Sequence, residues 1–334
     1  DKWIELRDEP DYTKYSPKEI RSIVADAGLV GMGGAAFPTH VKLSPPENKP
    51  IDTVLLNGAE CEPYVTSDHR IMLERTEEAL AGLRIIMHVL GVKRAFVAIE
   101  ENKLDAFEAF SAHLKGNGDV EPVLLRALYP QGAEKQLIKT VLNREIPSGG
   151  LPMDVGALVH NVGTAVGIYE AVRYGKPLVE RVTTVTGGAV VNPKNLLVRV
   201  GMSLAHAIEE CGGTNGSPAK VVLGGPMMGV AQASLDVPVV KATSGIIALK
   251  RDEVVERVEK QCIRCGRCVR TCPMILMPNM LGDLAEHKMY DKLQEYRVFD
   301  CIECGSCTYV CPTDRRLVHW IRFGKIQAKK ELKA

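Results

Sequence analysis

The sequence predicts an α/β protein in three parts: a mostly parallel, doubly covered sheet, then a small α+β module, then a helical, cysteine-rich domain. Three observations predict it. Between Asp52 and Leu142, β-branched and leucine-rich runs alternate with amphipathic ones, the rhythm of strands joined by crossover helices. From about residue 181 the elements shorten and Gly and Pro punctuate them. Eight of the ten cysteines fall between Cys262 and Cys311. The 334 residues leave room for two or three domains, expected at 1–180, 181–248 and 249–334.

Ser16-Pro17-Lys18-Glu19 is a capping box with Pro at the first helical position, so a helix is expected from Pro17 to about Ala27, ended by Gly28. A glycine-rich loop, 29–38, precedes Thr39 to Leu43. The alternation then gives a strand at Thr53 to Leu56, a long amphipathic segment at Asp68 to Leu90, a strand at Lys93 to Ile99 and a helix at Leu104 to Leu114. A strand at Val120 to Leu128 and a helix at Glu134 to Leu142 continue it. After Pro147-Ser148-Gly149-Gly150 a short apolar helix is expected at Thr164 to Arg173. The module that follows reads as strands at 181–186, 195–200, 219–223 and 237–241 with one helix, Leu204 to Cys211. A charged helix, Asp252 to Lys260, leads into the cysteines, and a basic tail begins at Arg315.

Apolar residues at 46% and charged residues at 25% are the composition of a folded, water-soluble chain. Lys plus Arg is 42 against 41 for Asp plus Glu, a balance that supplies no field for a nucleic-acid backbone or an anionic membrane. No run approaches the ~18 apolar residues of a membrane span. Asp1 to Pro10 is charged and has no apolar stretch of the secretory kind, so a reducing cytosol is expected and disulfides are not. The chain opens on Asp1, as a fragment or a processed product would.

The cysteines form a repeated motif. Cys262-Ile-Arg-Cys265-Gly-Arg-Cys268-Val-Arg-Thr-Cys272-Pro273 and Cys301-Ile-Glu-Cys304-Gly-Ser-Cys307-Thr-Tyr-Val-Cys311-Pro312 both read C-x2-C-x2-C-x3-C-P, the run of bacterial two-cluster ferredoxins. Two residues between thiolates let the chain wrap successive corners of a cubane, and the proline redirects it after the fourth. In such pairs the fourth cysteine of each run ligates the other cluster. Cys262, Cys265, Cys268 and Cys311 are therefore assigned to one 4Fe-4S cluster, and Cys301, Cys304, Cys307 and Cys272 to the second. Structural zinc is the competing reading, but four-cysteine zinc sites come as two pairs. Leu276 to Phe299, between the runs, has helical periodicity, which suits a helical two-cluster domain that carries single electrons. Cys61 and Cys211 read as buried small hydrophobes.

Four turns upstream carry unusual chemistry. Gly28, Gly31, Gly33 and Gly34 do not make a dinucleotide fingerprint, because a helix precedes them and Pro38 follows. Their amides could still approach a phosphate or an aromatic ring, with Lys42 as a nearby charge. Asn57-Gly58-Ala59-Glu60-Cys61-Glu62-Pro63-Tyr64 follows the carboxyl end of the first strand, where ligands of α/β sheets collect. Gly132-Ala133-Glu134 and His160-Asn161-Val162-Gly163-Thr164 each open a helix, where free amides suit an anion. Each alone is also ordinary capping chemistry; all four stand in one α/β unit.

Gly31 to Lys42, Asn57 to Tyr64 and the two ferredoxin runs together resemble the C subunit of the Rnf complex, a family similar to the flavin-carrying, NADH-oxidising subunit of respiratory complex I. The resemblance spans essentially the whole chain. It implies a Rossmann-like parallel sheet with a Gly-rich FMN loop, a β-grasp (SLBB) ligand-binding module and an α-helical two-cluster ferredoxin domain. It implies FMN held by Gly31, Gly33, Gly34 and Lys42 at its phosphate and ribityl region and faced by Asn57 and Glu60, with Asn161 and Thr164 closing the site. Glu62 and Glu134 would orient NADH on the nicotinamide side, near Gly132, and no catalytic acid or base is expected. Electrons would pass to the clusters and on to ferredoxin-like and membrane subunits, on the cytoplasmic face of the cell membrane. The chain departs from the pattern at Ala36, where the family has Gly, and at Val30, Met32 and Ala59, where the complex I relative has basic residues and Asp. The family also carries a segment before Pro17 that is mostly missing here. Two rival readings are a flavo-iron-sulfur cobalamin reductase of bacterial microcompartments and a non-catalytic iron-sulfur carrier that has lost flavin.

Overall fold

The computed structural model describes residues 6–116, 118–255 and 258–332. They form two compact units, one of residues up to Ile146 with Leu151–Glu253, the other of Pro147–Gly150 with the chain from Val254 onward.

The first unit opens with α1 (Pro17–Asp26). Its capping box is closed in both directions: the Ser16 amide donates to Glu19 at 2.8 Å and the Glu19 amide to the Ser16 hydroxyl at 3.4 Å. The glycine-rich loop leads to the short α2 (Thr39–Lys42). Then come β1 (Thr53–Gly58), α3 (Ser67–Glu74), α4 (Thr76–Leu90), β2 (Arg94–Glu100), α5 (Leu104–His113), β3 (Val120–Leu125), α6 (Glu134–Leu142), β4 (Ala157–Asn161) and α7 (Val162–Tyr174). The four strands are parallel, in the order β3-β2-β1-β4. Strand period two divides the core: Val54, Leu56, Val97 and Ile99 face α1, α4, α5 and α7, while Leu55, Phe96, Ala98 and Val159 face α6. Fully buried Leu55, Leu56, Leu83 and Ile86 each contribute about 1.5–3 kcal/mol by leaving water.

The structure corrects several expectations here. The long amphipathic segment from Asp68 to Leu90 forms two helices, with a break at Arg75. The third strand stops at Leu125, three residues early. The strand β4 was not expected, and α7 begins at Val162, directly on its end.

The same unit continues with β5 (Glu180–Thr186), β6 (Lys194–Arg199), α8 (Leu204–Glu209), β7 (Lys220–Leu223), β8 (Val230–Gln232) and β9 (Gly245–Leu249). These strands form a mixed sheet, β6-β5-β9-β7-β8, with β5 and β9 parallel at its centre. Leu204, Ala207 and Ile208 of α8 join Val185, Val198, Val221 and Ile246 in one core, which also takes up Cys211. The strand expected at 237–241 is absent: Pro238 has no N–H for a ladder, and the segment makes only an isolated bridge to Ser203. The central strand is Gly245–Leu249 instead.

The charged helix expected at Asp252 to Lys260 is also absent among the described residues; a single 3-10 turn covers Arg251–Glu253, and residues 256–257 lie outside the description. The second unit contains α9 (Arg267–Arg270), α10 (Pro278–Glu286), α11 (Tyr290–Glu295), α12 (Ser306–Tyr309) and α13 (Leu317–Glu331). The basic tail is thus a fifteen-residue helix whose Leu317, Ile321 and Ala328 pack with Leu281, Leu284 and Leu293.

Candidate functional site

In the order β3-β2-β1-β4 the connections run one way from β1 to β2 and the other way to β4, so the crevice outside the carboxyl ends of β1 and β4 is the topological switch point. Asn57 is the penultimate residue of β1 and Asn161 the last of β4, and the two are register partners. Each amide side chain holds a turn. Asn57 accepts from the Ala59 amide at 3.0 Å and donates to the Gly132 carbonyl at 2.9 Å, tying the turn after β1 to the turn before α6. That approach admits no side chain at Gly132, where a Cβ would stand 2.2 Å from the Ala59 carbonyl oxygen. Asn161 accepts from the Gly163 amide at 2.9 Å, capping α7, and donates to Asp68 at 2.6 Å.

The glycine-rich loop lies against this pair. Gly31 donates to the Phe37 carbonyl at 2.8 Å, closing the loop, and Met32 donates to the Thr164 hydroxyl at 2.9 Å in the first turn of α7. A Cβ on Gly33 would touch Asn161, and Gly34, at φ 106°, faces open space. Ala36 takes φ 50°, a left-handed conformation that favours glycine.

Two cations from the mixed-sheet module hold the loop as well, and nothing in the sequence pointed to them. Arg181, only 3% exposed, donates to the Met32 carbonyl at 3.3 Å and to the Lys241 carbonyl at 2.7 Å. Lys241 donates to the Gly28 carbonyl at 2.6 Å. Burial pushes the Arg181 pKa down to about 10, with Asp68 and Glu60 pulling the other way.

The carboxylates expected to face a ligand already have partners. Glu60 accepts from the amides of Asp68 and His69, at 2.8 and 3.1 Å, and so caps α3; burial first, then the repulsion of Asp68, push it up to about 7. Glu62 accepts from the amides of Met227 and Met228, at 3.0 and 2.9 Å, and burial pushes it up too. Glu134 and Lys42 form an ion pair at 2.5 Å. Beside Lys42, His160 is buried, held well below its ordinary pKa by burial and then by that lysine, and its Nε2 has no partner among the described residues. Glu60, Cys61, Glu62, His69, Lys103 and Tyr129 line an open crevice of about 390 Å3 at the strand ends. Cys61 is therefore no core residue: half-buried, it accepts from the Gly132 amide at 3.4 Å, and burial pushes its thiol up to about 11. The orphaned imidazole nitrogen beside Lys42 and the glycine-rich loop against Asn161 stand at the β1–β4 switch point, and the acidic crevice lies at the neighbouring strand ends, a layout with separate places for an anionic group and for hydroxyl or amide donors.

The second unit repeats one backbone path twice. Arg264 and Glu303 take φ 54° and 57°, and Ile275 and Asp314 take φ 54° and 55°, at equivalent places in the two runs. These bends turn amides onto sulfur at 3.4 Å: Arg264 to Cys262, Leu276 to Cys272, Glu303 to Cys301 and Arg315 to Cys311. The thiols ring two cavities of nearly equal size. Cys262, Cys265, Cys268 and Cys311 line one; Cys272, Cys301, Cys304 and Cys307 line the other. Among the described residues no three such side chains converge on a point that would hold a single ion. Burial pushes the Cys301 thiol up to about 11 and Cys307 to about 12, so four thiolates are stable in such a ring only around a strongly cationic group. Three thiols from one run with the fourth from the other fit two cubane clusters.

Family models match the chain in three places: the Nuo51 FMN-binding domain over residues 24–170, the SLBB domain over 182–231 and the 4Fe-4S dicluster domain over 254–312. Among curated relatives, the C subunit of the proton-translocating ferredoxin:NAD(+) oxidoreductase complex of Clostridium ljungdahlii is 51% identical over 97% of this chain and 71% of its own length. Its counterpart in the Na(+)-translocating complex of Acetobacterium woodii is 47% identical over 92% and 69%. The counterpart in the ion-translocating oxidoreductase complex of Rhodobacter capsulatus is 46% identical over 79% of this chain, which spans about half, 51%, of that relative. Among solved structures, a chain of the NAD+-reducing [NiFe]-hydrogenase in its H2-reduced state matches 95% of this chain and 61% of its own length, with a TM-score of 0.63 at 18% identity, a likeness of fold.

Proposed function

This chain belongs to the family of C subunits of ion-translocating ferredoxin:NAD(+) oxidoreductase complexes, and we propose that it moves electrons between NAD(H), FMN and two 4Fe-4S clusters while the whole complex transports Na+ or H+. The observation that carries the reading is the sorting of eight thiols into two equal rings, each completed by the other run, in a chain whose residues 24–170 match the Nuo51 FMN-binding domain. FMN exchanges electron pairs with a nicotinamide and single electrons with clusters, which is the chemistry the cofactor supplies when bound.

The chain's own residues position and shield. Gly31, Gly33 and Gly34 would lay amides along the phosphate and ribityl region, with Lys42 as counter-charge in exchange for Glu134. Asn57, Glu60, Asn161 and Thr164 would face the flavin, and Glu62, Glu134 and the Gly132 turn would orient NADH through acceptor oxygens and amides. Cys262, Cys265, Cys268 and Cys311 would hold one cluster, and Cys272, Cys301, Cys304 and Cys307 the other. The domain limits that suit these roles are 1–180 for flavin and nicotinamide, 181–248 for the SLBB module and 249–334 for the clusters. Among the described residues no helix is long and apolar enough to cross a membrane. In this reading the chain is peripheral, on the cytoplasmic face, and reaches the membrane through the other members of the complex.

Anaerobic reconstitution tests this. Protein with one FMN and about eight irons, whose flavin absorbance bleaches on adding NADH, is the expected result; about two zinc ions and no iron would refute it. Lys42→Ala and Glu62→Gln should weaken retention of FMN and the response to NADH at unchanged iron content, whereas loss of iron in either would remove the site assignment.

A further inference from the structure

The two thiol rings differ in their surroundings. Around the second ring, Cys304 and Cys307 are each 8% exposed, and the one charged residue inside the run, Glu303, is neutralised by Arg322 at 3.0 Å and Lys325 at 2.6 Å. The first ring reaches the surface at Cys265, which is exposed, beside Ile263 at 66% exposure. In its gaps stand Arg264, Arg267 and Arg270, where the second run has Glu303, Ser306 and Tyr309. All three arginines are exposed, and none has an acidic partner among the described residues; Arg270 donates instead to the Cys265 carbonyl at 3.3 Å. Arg267, Arg270 and the exposed Tyr309 line a shallow depression that reaches Cys311, the fourth thiol of this same ring. In a chain of net charge +1 this concentration of cations is local.

We propose that this face is the docking surface for an acidic, ferredoxin-like electron-carrier protein. The proposal rests on the redox reading above. A redox encounter brings a near-surface centre of each partner together in a small, polar contact, and opposite charge sets its rate. Here the cations frame the only thiol of the eight that is exposed, and Ile263 and Tyr309 supply apolar contact within the charged frame. Each encounter transfers one electron: the carrier is reduced by one as this chain is oxidised by one, or the reverse, with no bond made and no proton moved.

The test uses the full-length chain with its clusters reconstituted, and a purified acidic two-cluster ferredoxin as probe. Binding is measured by calorimetry from low to physiological salt, and electron exchange by stopped flow after dithionite reduction, so that neither needs flavin or NADH. The Arg264→Gln, Arg267→Gln, Arg270→Gln triple variant should bind at least tenfold more weakly at low salt and show a flatter salt dependence, at unchanged iron content. A Lys329→Gln, Lys330→Gln variant should match the wild type. Should the triple variant lose iron, Arg267→Glu alone, whose side chain makes no hydrogen bond among the described residues, should weaken binding, and a carrier with acidic residues changed to Lys should restore it. Wild-type affinity and salt slope in the arginine variants, or no binding by the wild type, would overturn the proposal. A chain that docks normally but is not reduced by NADH would instead refute the redox reading.

Discussion

Ala36 holds a left-handed backbone, φ 50°, in the loop that the flavin reading depends on. Such a conformation costs a Cβ-bearing residue about 1 kcal/mol, partly offset because alanine has less freedom to lose on folding than glycine. Ala36→Gly should therefore leave the melting temperature unchanged or raise it slightly, while Ala36→Val lowers it; a clear loss in the glycine variant would show that the methyl group is packed. Glu60 makes a second prediction. Its pKa rises from an ordinary 4.5 to about 7, so between those values the folded chain binds more protons than the unfolded one. Its contribution is most favourable below pH 4.5 and is lost as the pH rises through 7. Glu60→Gln should flatten the fall in stability across that window in urea titrations, and an unchanged slope would assign the effect to another group. Glu60 was legible as a site residue from its place after β1, but its role as the cap of α3 was not, because a cap seven residues before the helix it serves has no local pattern. Arg181 was illegible for a related reason: its bond to Met32 spans 149 residues.

At the scale of elements, the candidate site is four turns latched to one another. Thr164 in α7 holds the Met32 amide, Asn57 holds the Gly132 turn, and Asn161 holds α3 through Asp68. Thr164→Val keeps the shape of the side chain but leaves a buried N–H without a partner, at a cost of about 1–3 kcal/mol. FMN content should drop with iron content intact, and Thr164→Ser should restore it; full FMN content in the valine variant would show that the loop is set by Arg181 and Lys241 alone. The strand-helix alternation was readable because β1, β2 and β3 are separated from their helices by polar turns. The strand β4 was not, because Asn161 both ends it and caps α7, so an apolar run passes from strand to helix with no turn between them. The opposite error came from the β-branched run Val237, Val239 and Val240, which reads like a strand although Pro238 lacks the N–H of a ladder.

At the scale of the molecule, the two units have different sources of stability. The first has cores on both faces of its parallel sheet and another beneath α8. The second is a run of short helices whose core includes Cys268 and Cys307 themselves. A core built partly from metal-ligating thiols draws folding free energy from the metal it holds. Removing iron with a chelator under reducing conditions should expose residues 258–332 to limited proteolysis while fragments spanning the first unit persist; simultaneous digestion of both would count against separate stability. The cysteine pairing itself was read from spacing alone, since the x2, x2, x3, Pro rhythm dictates the path of the chain. Because Cys311 completes the ring of the first run and Cys272 that of the second, neither half of this unit is a self-sufficient module. Assembly is consequently all or none: the first cluster to form draws the distant run into place and preorganises the other, and oxidative loss of one strips a ligand's anchorage from both, so partly loaded molecules should be scarce.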